Sequence, residues 1–356
     1  MIDEMKNQIT VIITIRNREA SRIENQINSI RKYGANPTIH VVDYGSDEKY
    51  RKQYEEICSK LEIQYTHMYA EGLPWNKCQA INYGAKIAST PFIVTSDVDM
   101  LYTSNPFQWC LDNFEEKTIF TNKAIWLNKK NKIPRNYKYT LTPGGFVFQP
   151  RNVFFELNGL DEKIRYWGPE DVDWIQRLHS IGYKQIWIPD EYAMHHVWHP
   201  TLSSKYSKPF VAEYISNQLY FKNCYKAKVS QDFGNQITLE MRPILKYIQE
   251  ESFESLTFDT GVFAKTDFLL KLKSLSDKKG CYKINLQPRL KKRPLDNFRN
   301  IIPFILKPLV ALTGNKIEFN ENRNIDFLYM YLSVLISNGL KDYYIENDFS
   351  KIYLLW

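Results

Sequence analysis

The feature that most constrains this chain is the alternation of strand-like and helix-like segments over its N-terminal part. Short apolar, β-branched runs predict strands at 9–15, 38–42, 63–68 and 92–95. Segments with one apolar stripe at helical spacing predict helices at 19–33, 50–61 and 78–88. Strands that alternate with helices form a parallel sheet with right-handed crossovers. We therefore predict an α/β fold.

Acidic residues follow two of these predicted strands. Asp43 ends the second strand, and Asp97 and Asp99 end the fourth, with one residue between them. Ligands of such sheets bind beyond the carboxyl ends of the strands. Two neighbouring carboxylates repel each other unless a cation lies between them, so the pair indicates a divalent metal that carries a phosphate ligand. The alternative is a polar strand end in an ordinary loop.

A second acidic cluster, Glu170, Asp171 and Asp173, follows Pro169 at the start of a predicted helix. Acids at a helix N-terminus are stabilised by the helix dipole, and this explanation is favoured for Asp173. An acid held there also stays ionised near neutral pH. It is then available as a general base that does not bind the metal.

Three histidines, His195, His196 and His199, follow a strand predicted at 183–188. A single histidine after a strand is more often structural than a ligand, but three within five positions favour a site. A carboxylate pair with imidazole suits Mn²⁺ better than Mg²⁺, which prefers oxygen ligands and water.

The composition is that of a globular protein of one large domain or two, with 356 residues, 44% hydrophobic and 24% charged. The formal charge of +7 fits an anionic partner but does not identify it. Five scattered cysteines without a Cys-x-x-Cys pair favour a reducing compartment and argue against a zinc module. We expect no signal peptide and no membrane anchor.

The character of the sequence changes after Pro200. We predict helices at 203–227 and 235–250, and a mainly helical C-terminal region of unknown function at 203–356. Its basic segment 289–293 beside the apolar segment 301–312 suggests peripheral contact with a membrane that carries a lipid-linked acceptor; the alternative is a core helix with a solvated flank.

Five motifs carry a resemblance to a known family. They are Thr14 to Glu19 (TIRNRE), Trp75 to Gly84 (WNK to NYG), Ser96 to Met100 (SDVDM), Gly144-Gly145, and Trp167 to Asp171 (WGPED). In this order they resemble the GT-A glycosyltransferases, in particular the β-1,4-galactosyltransferase family and family 2 enzymes such as bacterial chondroitin polymerases. The resemblance covers about residues 9–199. It implies a Rossmann-like, mixed and mostly parallel sheet in a domain at 1–202, with a nucleotide-sugar half at about 1–100 and an acceptor half at about 101–202.

The resemblance also implies roles for individual residues. Asp171 falls on the catalytic base, and the residues expected to bind the acceptor are Glu170, Trp167 and Gly145. The residues expected to bind the donor are Thr14, Arg16, Arg18, Asp43, Trp75, Lys77, Asp97 and Val98. Asp99 and His196 are expected to bind the metal, with His195 and His199 as alternatives to His196.

The chain departs from the family pattern at three places. Tyr44 stands where the family has an acid after Asp43, and Pro169 stands at the second glycine before Glu170. The Met-x-x-His spacing of the metal ligands is not reproduced around Met194. These departures affect the expected binding of the base, the acceptor and the metal, respectively.

The resemblance implies a metal-dependent inverting glycosyltransferase that uses Mn²⁺ or Mg²⁺. It would transfer a hexose or N-acetylhexosamine from a UDP-sugar to a glycan or lipid-linked glycan acceptor, with no nucleic-acid partner. We expect a cytoplasmic location, or the inner face of the cell membrane, in bacterial surface polysaccharide synthesis. The alternative is a catalytically silent module that binds sugar nucleotides or glycans. A DxD phosphatase or nucleotidyltransferase would leave Arg16, Arg18, Glu170 and Asp171 unexplained.

Overall fold

The computed structural model describes residues 2–165, 170–199, 232–259, 274–275, 280–287, 332, 335–336, 339–346 and 351–356. These residues form two compact units. The first contains the described residues up to 199 together with 232–241, and the second contains the described residues from 242 onward. The predicted division after residue 202 stays a prediction, because 200–231 lie outside the described residues.

The first unit alternates strands and helices along most of its length. Its strands are β1 (Ile9–Ile15), β2 (Thr38–Tyr44), β3 (Gln64–Met68), β4 (Phe92–Asp97), β5 (Met100–Leu101), β6 (Thr118–Trp126), β7 (Thr140–Pro150), β8 (Lys184–Trp187) and β9 (Met194–His196). Its helices are α1 (Ile2–Gln8), α2 (Ser21–Lys32), α3 (Glu48–Lys60), α4 (Lys77–Ile87), α5 (Pro106–Asp112), α6 (Arg151–Glu156) and α7 (Glu170–Ser180). Short 3₁₀ turns lie at Asp190–Tyr192 and Leu239–Met241.

Within the described residues, these strands form one nine-stranded sheet in the order β3-β2-β1-β4-β7-β6-β9-β5, with β8 on β6. The first four strands in this order are parallel, and β7 joins β4 in the antiparallel direction. Residue 14 of β1 is paired with Asp97 and residue 15 with Asp43, so the two acids lie at the same edge of the sheet. This confirms the predicted α/β fold with a mixed, mostly parallel, Rossmann-like sheet.

The sheet is covered by helices on both faces, and the sequence of β1 shows why. All seven residues of β1 are buried, as in strands of parallel sheets that are covered on both sides. Val11, Ile13 and Ile15 pack in the cluster that contains residues of α2 and α3, whereas Ile12 packs in the cluster that contains residues of α4 and α7. The alternation of β1 thus divides the core into two layers.

The segment 232–241 packs on α4 within the first unit. Asn82 is fully buried, donates from Nδ2 to the Leu160 carbonyl and Glu162 Oε1 (both 2.8 Å), and accepts from the Leu160 amide (2.8 Å). The Gly234 amide donates to the same Glu162 oxygen at 2.7 Å. Gly159 and Gly234 both have positive φ, and a Cβ at Gly159 would lie 2.5 Å from Asn82 Oδ1. The Asn82 amide therefore connects α4 to residues 160–162, and Glu162 connects both to Gly234.

The second unit contains helix α8 (Pro243–Gln249) and a small sheet. Its described strands are β10 (Glu254–Asp259), β11 (Cys281–Gln287), β12 (Asp342–Ile345) and β13 (Lys351–Leu355), in the order β10-β11-β13-β12. A buried ion pair joins Arg242 Nε to Asp342 Oδ1 at 3.0 Å, and the Ile244 amide donates to Asp342 Oδ2 at 3.2 Å. Both partners are over 90% buried, so the unit has its own buried polar anchor.

The four-stranded sheet was not among the elements predicted for the C-terminal region. The pairing partners are far apart in sequence, for example residues 285 and 351, so the local pattern gave little sign of them. That this region is mainly helical stays a prediction, because most of 203–356 lies outside the described residues. Gly144-Gly145 lies inside β7. The helix predicted at 235–250 is reduced to α8 and the preceding 3₁₀ turn. The segments 203–227, 289–293 and 301–312 lie outside the described residues.

We predict that Asn82→Ala lowers the free energy of unfolding by about 2–3 kcal/mol, because it leaves buried backbone groups of Leu160 without partners. Urea denaturation followed by circular dichroism measures this change. Ile87→Ala, on the same helix but 51% exposed, serves as the control and should stay within about 0.5 kcal/mol. Equal midpoints for the two variants would contradict the connecting role of Asn82.

Candidate functional site

A lysine at the start of α4 lies between acids from two different elements. Lys77 Nζ is 2.6 Å from Asp97 Oδ1 at the end of β4 and 3.5 Å from Glu170 Oε1 at the start of α7. Burial alone lowers the pKa of Lys77, but the two carboxylates outweigh it and raise the pKa above its usual value. The lysine therefore stays charged, and it joins an acid predicted to bind the donor to one predicted to bind the acceptor.

Asp171 lies next to this ion pair and against the backbone of β7. A Cβ at Gly144 would be 3.2 Å from Asp171 Oδ2, so a side chain at this position would crowd the carboxylate. The Val172 amide donates to Asp171 Oδ1 at 2.8 Å. Burial raises the pKa of both Asp171 and Glu170, and the nearby Lys77 opposes the rise. A carboxylate with a raised pKa is a better proton acceptor than an ordinary aspartate.

These groups border a small cavity. Its lining includes Lys77, Gly144, Glu170 and Asp171 on the polar side. Gln149 also lines it; this buried side chain accepts from Trp174 Nε1 at 2.6 Å. The third acid of the cluster, Asp173, forms a buried ion pair with Arg177 at 2.8 Å. Its carboxylate is therefore engaged in a structural contact and is separate from the Lys77, Glu170 and Asp171 group.

Asp99 meets two of the three predicted histidines. His199 Nε2 is 3.1 Å from Asp99 Oδ2, and His196 Nε2 is 3.9 Å from Asp99 Oδ1. One ligand atom from each of the three residues lies within 4.8 Å of the others. In the part of the chain that the structure describes, His195 does not belong to this group. The structure thus brings Asp99 together with both His196 and His199.

Two neighbours fix the ring of His196. Its Nδ1 donates to the Val197 carbonyl at 3.1 Å, and Trp126 stacks on the ring at 3.9 Å between centroids. Because a carbonyl can only accept a hydrogen bond, the ring proton lies on Nδ1. The lone pair of Nε2 is then directed to Asp99. Burial lowers the pKa of His196, so the ring is neutral and able to bind a metal. One carboxylate and two imidazoles form a donor set that fits Mn²⁺, and the site residues fit the implied cation.

The short pairing of β5 with β9 explains why these residues meet. His196 is paired with residue 100 and His195 with residue 101, and the Val197 amide donates to the Asp99 carbonyl at 2.8 Å. Adjacent residues of a strand point to opposite faces. His196 and His195 therefore point to different sides, and only His196 is directed to the acidic loop.

Sequence reasoning missed Arg22, the second residue of α2. Arg22 Nη1 is 3.7 Å from Asp99 Oδ2, and its Nε donates to Glu19 Oε2 at 3.0 Å. The side chain is only 15% exposed. The local sequence gave one sign of this arginine: Glu19 and Arg22 are spaced as an i,i+3 ion pair at the start of the helix. The cation lies close enough to affect how Asp99 binds a metal.

Asp43 is fully buried at the end of β2 and is held by three donors. Tyr65 Oη and His67 Nδ1 lie 2.9 Å from Oδ2, and the Ser46 amide lies 3.0 Å from Oδ1. His67 also bonds Glu71 at 2.9 Å. Burial lowers the pKa of His67, but the bonds to the two carboxylates more than compensate and raise it to about 9. Asp43 thus organises the loop beneath the expected nucleotide site, and its contact with uridine stays a prediction.

The other predicted donor residues surround this loop. Arg16 Nη1 donates to the Leu73 carbonyl at 2.7 Å, and the Arg18 amide donates to Tyr54 Oη at 2.8 Å. Trp75 packs edge-on against Tyr44, with ring centroids 5.7 Å apart. Tyr44, which replaces the usual acid, therefore supports the tryptophan.

The remaining predicted site residues are placed as follows. Thr14 and Val98 are buried beside Asp97 and Asp99, and Gly145 is buried where a Cβ would be 3.2 Å from Met100 Cε. Trp167 lies outside the described residues.

The contacts of His67 with the carboxylates of Asp43 and Glu71 predict that the stability of the protein depends on pH. The pKa of His67 is about 9 in the folded protein against 6.5 ordinarily, so its contribution is complete below about pH 6.5 and is lost as the pH rises through 9. We expect His67→Gln to be less stable than the native chain by an amount on the order of 3 kcal/mol at pH 6, with the difference shrinking by pH 9.5.

Denaturation series at several pH values measure this, with the exposed His179→Gln as the control. A difference that stays constant from pH 6 to 9.5 would exclude a charged His67 as the cause.

Comparisons with solved structures found the following similarities. S. aureus TarS is 16% identical, with 63% of this chain and 46% of that chain covered and a TM-score of 0.43. The catalytic domain of Drosophila beta1,4galactosyltransferase 7 in complex with xylobiose is 16% identical, with 54% and 71% covered and a TM-score of 0.37. A mutant of the Drosophila enzyme with manganese, UDP-Gal and xylobiose is 14% identical, with 54% and 71% covered and a TM-score of 0.36.

The chain spans less than half the length of TarS. No curated protein sequence matches the chain. None of the described helices is long and apolar enough to cross a membrane. Residues 10–163 match the model of Glycosyl transferase family 2, and this match confirms the resemblance that the sequence motifs carry.

Proposed function

We propose that this protein is a metal-dependent, inverting glycosyltransferase that transfers a hexose or N-acetylhexosamine from a UDP-sugar to a glycan acceptor. The family match supports glycosyl transfer in general. The donor, the metal and the stereochemistry are our proposals. The observation that carries them is that Lys77 joins Asp97 to Glu170 next to Asp171, while Asp99, two residues from Asp97, lies together with His196 and His199 in a cluster that could hold a metal.

Asp171 is the proposed general base. It would accept the proton of an acceptor hydroxyl while that oxygen forms a bond to the anomeric carbon and the bond from this carbon to UDP breaks, with the electron pair leaving on the diphosphate. Burial raises the pKa of this carboxylate, which supports the role. Attack by the hydroxyl on the face opposite to the leaving group inverts the configuration at the anomeric carbon.

Glu170 and Lys77 are proposed to orient the two substrates. Lys77 contacts both Asp97 and Glu170, so a donor held by Asp97 and an acceptor held by Glu170 would be aligned through one cation. Holding two reactants in this way lowers the entropic cost of their encounter. The arginines of the first loop, Arg16 and Arg18, are proposed to bind the diphosphate.

Asp99, His196 and His199 are proposed to hold the divalent metal, Mn²⁺ or Mg²⁺. When bound, such a cation neutralises the negative charge of the diphosphate leaving group. The two imidazoles favour Mn²⁺. The fixed ring of His196 and the buried Asp99 supply a preorganised ligand pair, so little ordering is needed on binding.

The cellular role is proposed from the resemblance. We propose that the enzyme acts on a glycan or lipid-linked glycan acceptor in bacterial surface polysaccharide synthesis, on the cytoplasmic side of the cell membrane.

We predict that Asp171→Asn lowers transfer by about 10²–10⁴, because the amide cannot accept the proton, while UDP binding is retained. UDP release in the presence of an acceptor panel measures transfer, and calorimetry measures binding. The exposed Asp112→Asn serves as the control and should transfer normally. Full transfer by Asp171→Asn would exclude this base, and UDP binding without release by the native chain would favour a silent binding module.

We predict that Asp99→Ala and His199→Ala each weaken Mn²⁺ binding by about tenfold or more, whereas His195→Ala leaves it unchanged because that ring points to the other side of β9. Electron paramagnetic resonance of free Mn²⁺ measures the affinity without any turnover. Equal losses in the His195 and His199 variants would contradict the proposed ligand set.

A further inference from the structure

We propose that the exposed surface between β6 and β7 binds an acidic glycan, and that this surface defines the acceptor class of the enzyme. The surface consists of the exposed side chains at 128–141 together with Trp126, and we call it the β6–β7 surface. The proposal rests on the proposed function, which it deepens by naming the substrate class.

The charge of this segment is one-sided. No Asp or Glu occurs anywhere from residue 118 to 155. Five exposed cations lie within the β6–β7 surface, namely Lys129, Lys130, Lys132, Arg135 and Lys138. A concentration of one charge sign attracts a ligand of the opposite sign and raises its local concentration.

Large apolar side chains are exposed among these cations. The exposed fractions are 40% for Trp126, 47% for Ile133 and Tyr137, 42% for Tyr139 and 55% for Leu141. Tyr137, Tyr139 and Leu141 are spaced two residues apart, and in an extended chain this spacing places them along one side. Flat, amphipathic rings such as tyrosine bind ligands through their faces while the hydroxyl stays in water.

Both ends of the segment lead into the candidate site. At one end Trp126 stacks on His196, and Lys129 Nζ lies 5.3 Å from the centre of the Trp198 ring. At the other end Leu141 is three residues before Gly144, about 10 Å along β7, and Gly144 lies against Asp171. A glycan chain that follows the aromatic row would therefore bring its end toward the proposed base.

These observations favour an acidic glycan over the two other occupants. A neutral glycan would use the aromatic rings but would gain nothing from five cations. An anionic bilayer would use the cations, but a membrane-inserting surface carries a contiguous apolar face, whereas here Lys138 and Arg135 lie between the apolar positions. Continuity with the site also favours a substrate.

Binding of defined oligosaccharides to the full-length protein tests the proposal. Calorimetry would compare hyaluronan oligosaccharides, which carry carboxylates, with neutral xylo-oligosaccharides of equal length, and flotation would use vesicles of phosphatidylglycerol. The variants are the triple Lys130→Gln/Lys132→Gln/Arg135→Gln and the double Tyr137→Ala/Tyr139→Ala. The triple Lys32→Gln/Lys49→Gln/Lys184→Gln removes the same charge from exposed positions elsewhere and is the matched control.

We expect the native chain to bind the acidic oligosaccharide at least tenfold more tightly than the neutral one, with an affinity that falls as salt rises. The triple variant of the β6–β7 surface should lose about tenfold or more, the tyrosine double variant should lose severalfold, and the control triple should stay within twofold. Equal affinity for acidic and neutral chains, or an equal loss in the control triple, would overturn the proposal. Vesicle binding that depends on the same three cations, without glycan binding, would also overturn it.

Mn²⁺-dependent UDP binding and donor hydrolysis by the native chain are measured in the same series. Their absence would contradict the proposed function, whereas a loss of acidic-glycan selectivity alone contradicts only the role of the β6–β7 surface.

Discussion

The arrangement of the site depends on the ion pairs of Lys77. Three acids, Asp97, Glu170 and Asp171, approach one another at the edge of the sheet, and burial raises the pKa of the last two. Without a cation between them, their mutual repulsion would favour protonation or separation. Lys77 supplies this charge from the first residue of α4, so the position of that helix determines whether the strand end and the start of α7 can meet.

The sheet provides the rigid frame for this charge balance. Parallel pairing of β1 with β2 and β4 sets Asp43 and Asp97 at one edge. Strand β7, which is antiparallel to β4, adds Gly144, and strand β9, which is parallel to β6, adds His196. The glycine at 144 contributes as well as the charges, because a Cβ there would lie only 3.2 Å from Asp171 Oδ2 and would crowd the carboxylate. The backbone of β7 therefore approaches Asp171 closely at the same place where burial raises the pKa of Glu170 and Asp171.

Local patterns were sufficient to predict much of this frame and part of the site. The apolar runs and helical stripes of the first hundred residues predicted strands and helices to within about two residues at most ends, and the strand-end positions of Asp43, Asp97 and Asp99 followed from the topology. The choice among the three histidines could not be predicted from local patterns, because it depends on the two-residue pairing of β5 with β9. Arg22 and the four-stranded sheet of the second unit were missed for the same reason, since their partners are distant in sequence.

The Asp99, His196 and His199 cluster has a consequence for the chain as a polymer. The carboxylate and the imidazoles are separated by nearly a hundred residues, so a bound cation would act as a reversible cross-link that closes a loop of about that length. Such a cross-link exists only while the chain is folded, because the three ligands are brought together only in the native structure, and a ligand that binds only the native state stabilises it by an amount that grows with the logarithm of the ligand concentration. The folding equilibrium of the first unit would thereby report the free metal concentration around the protein.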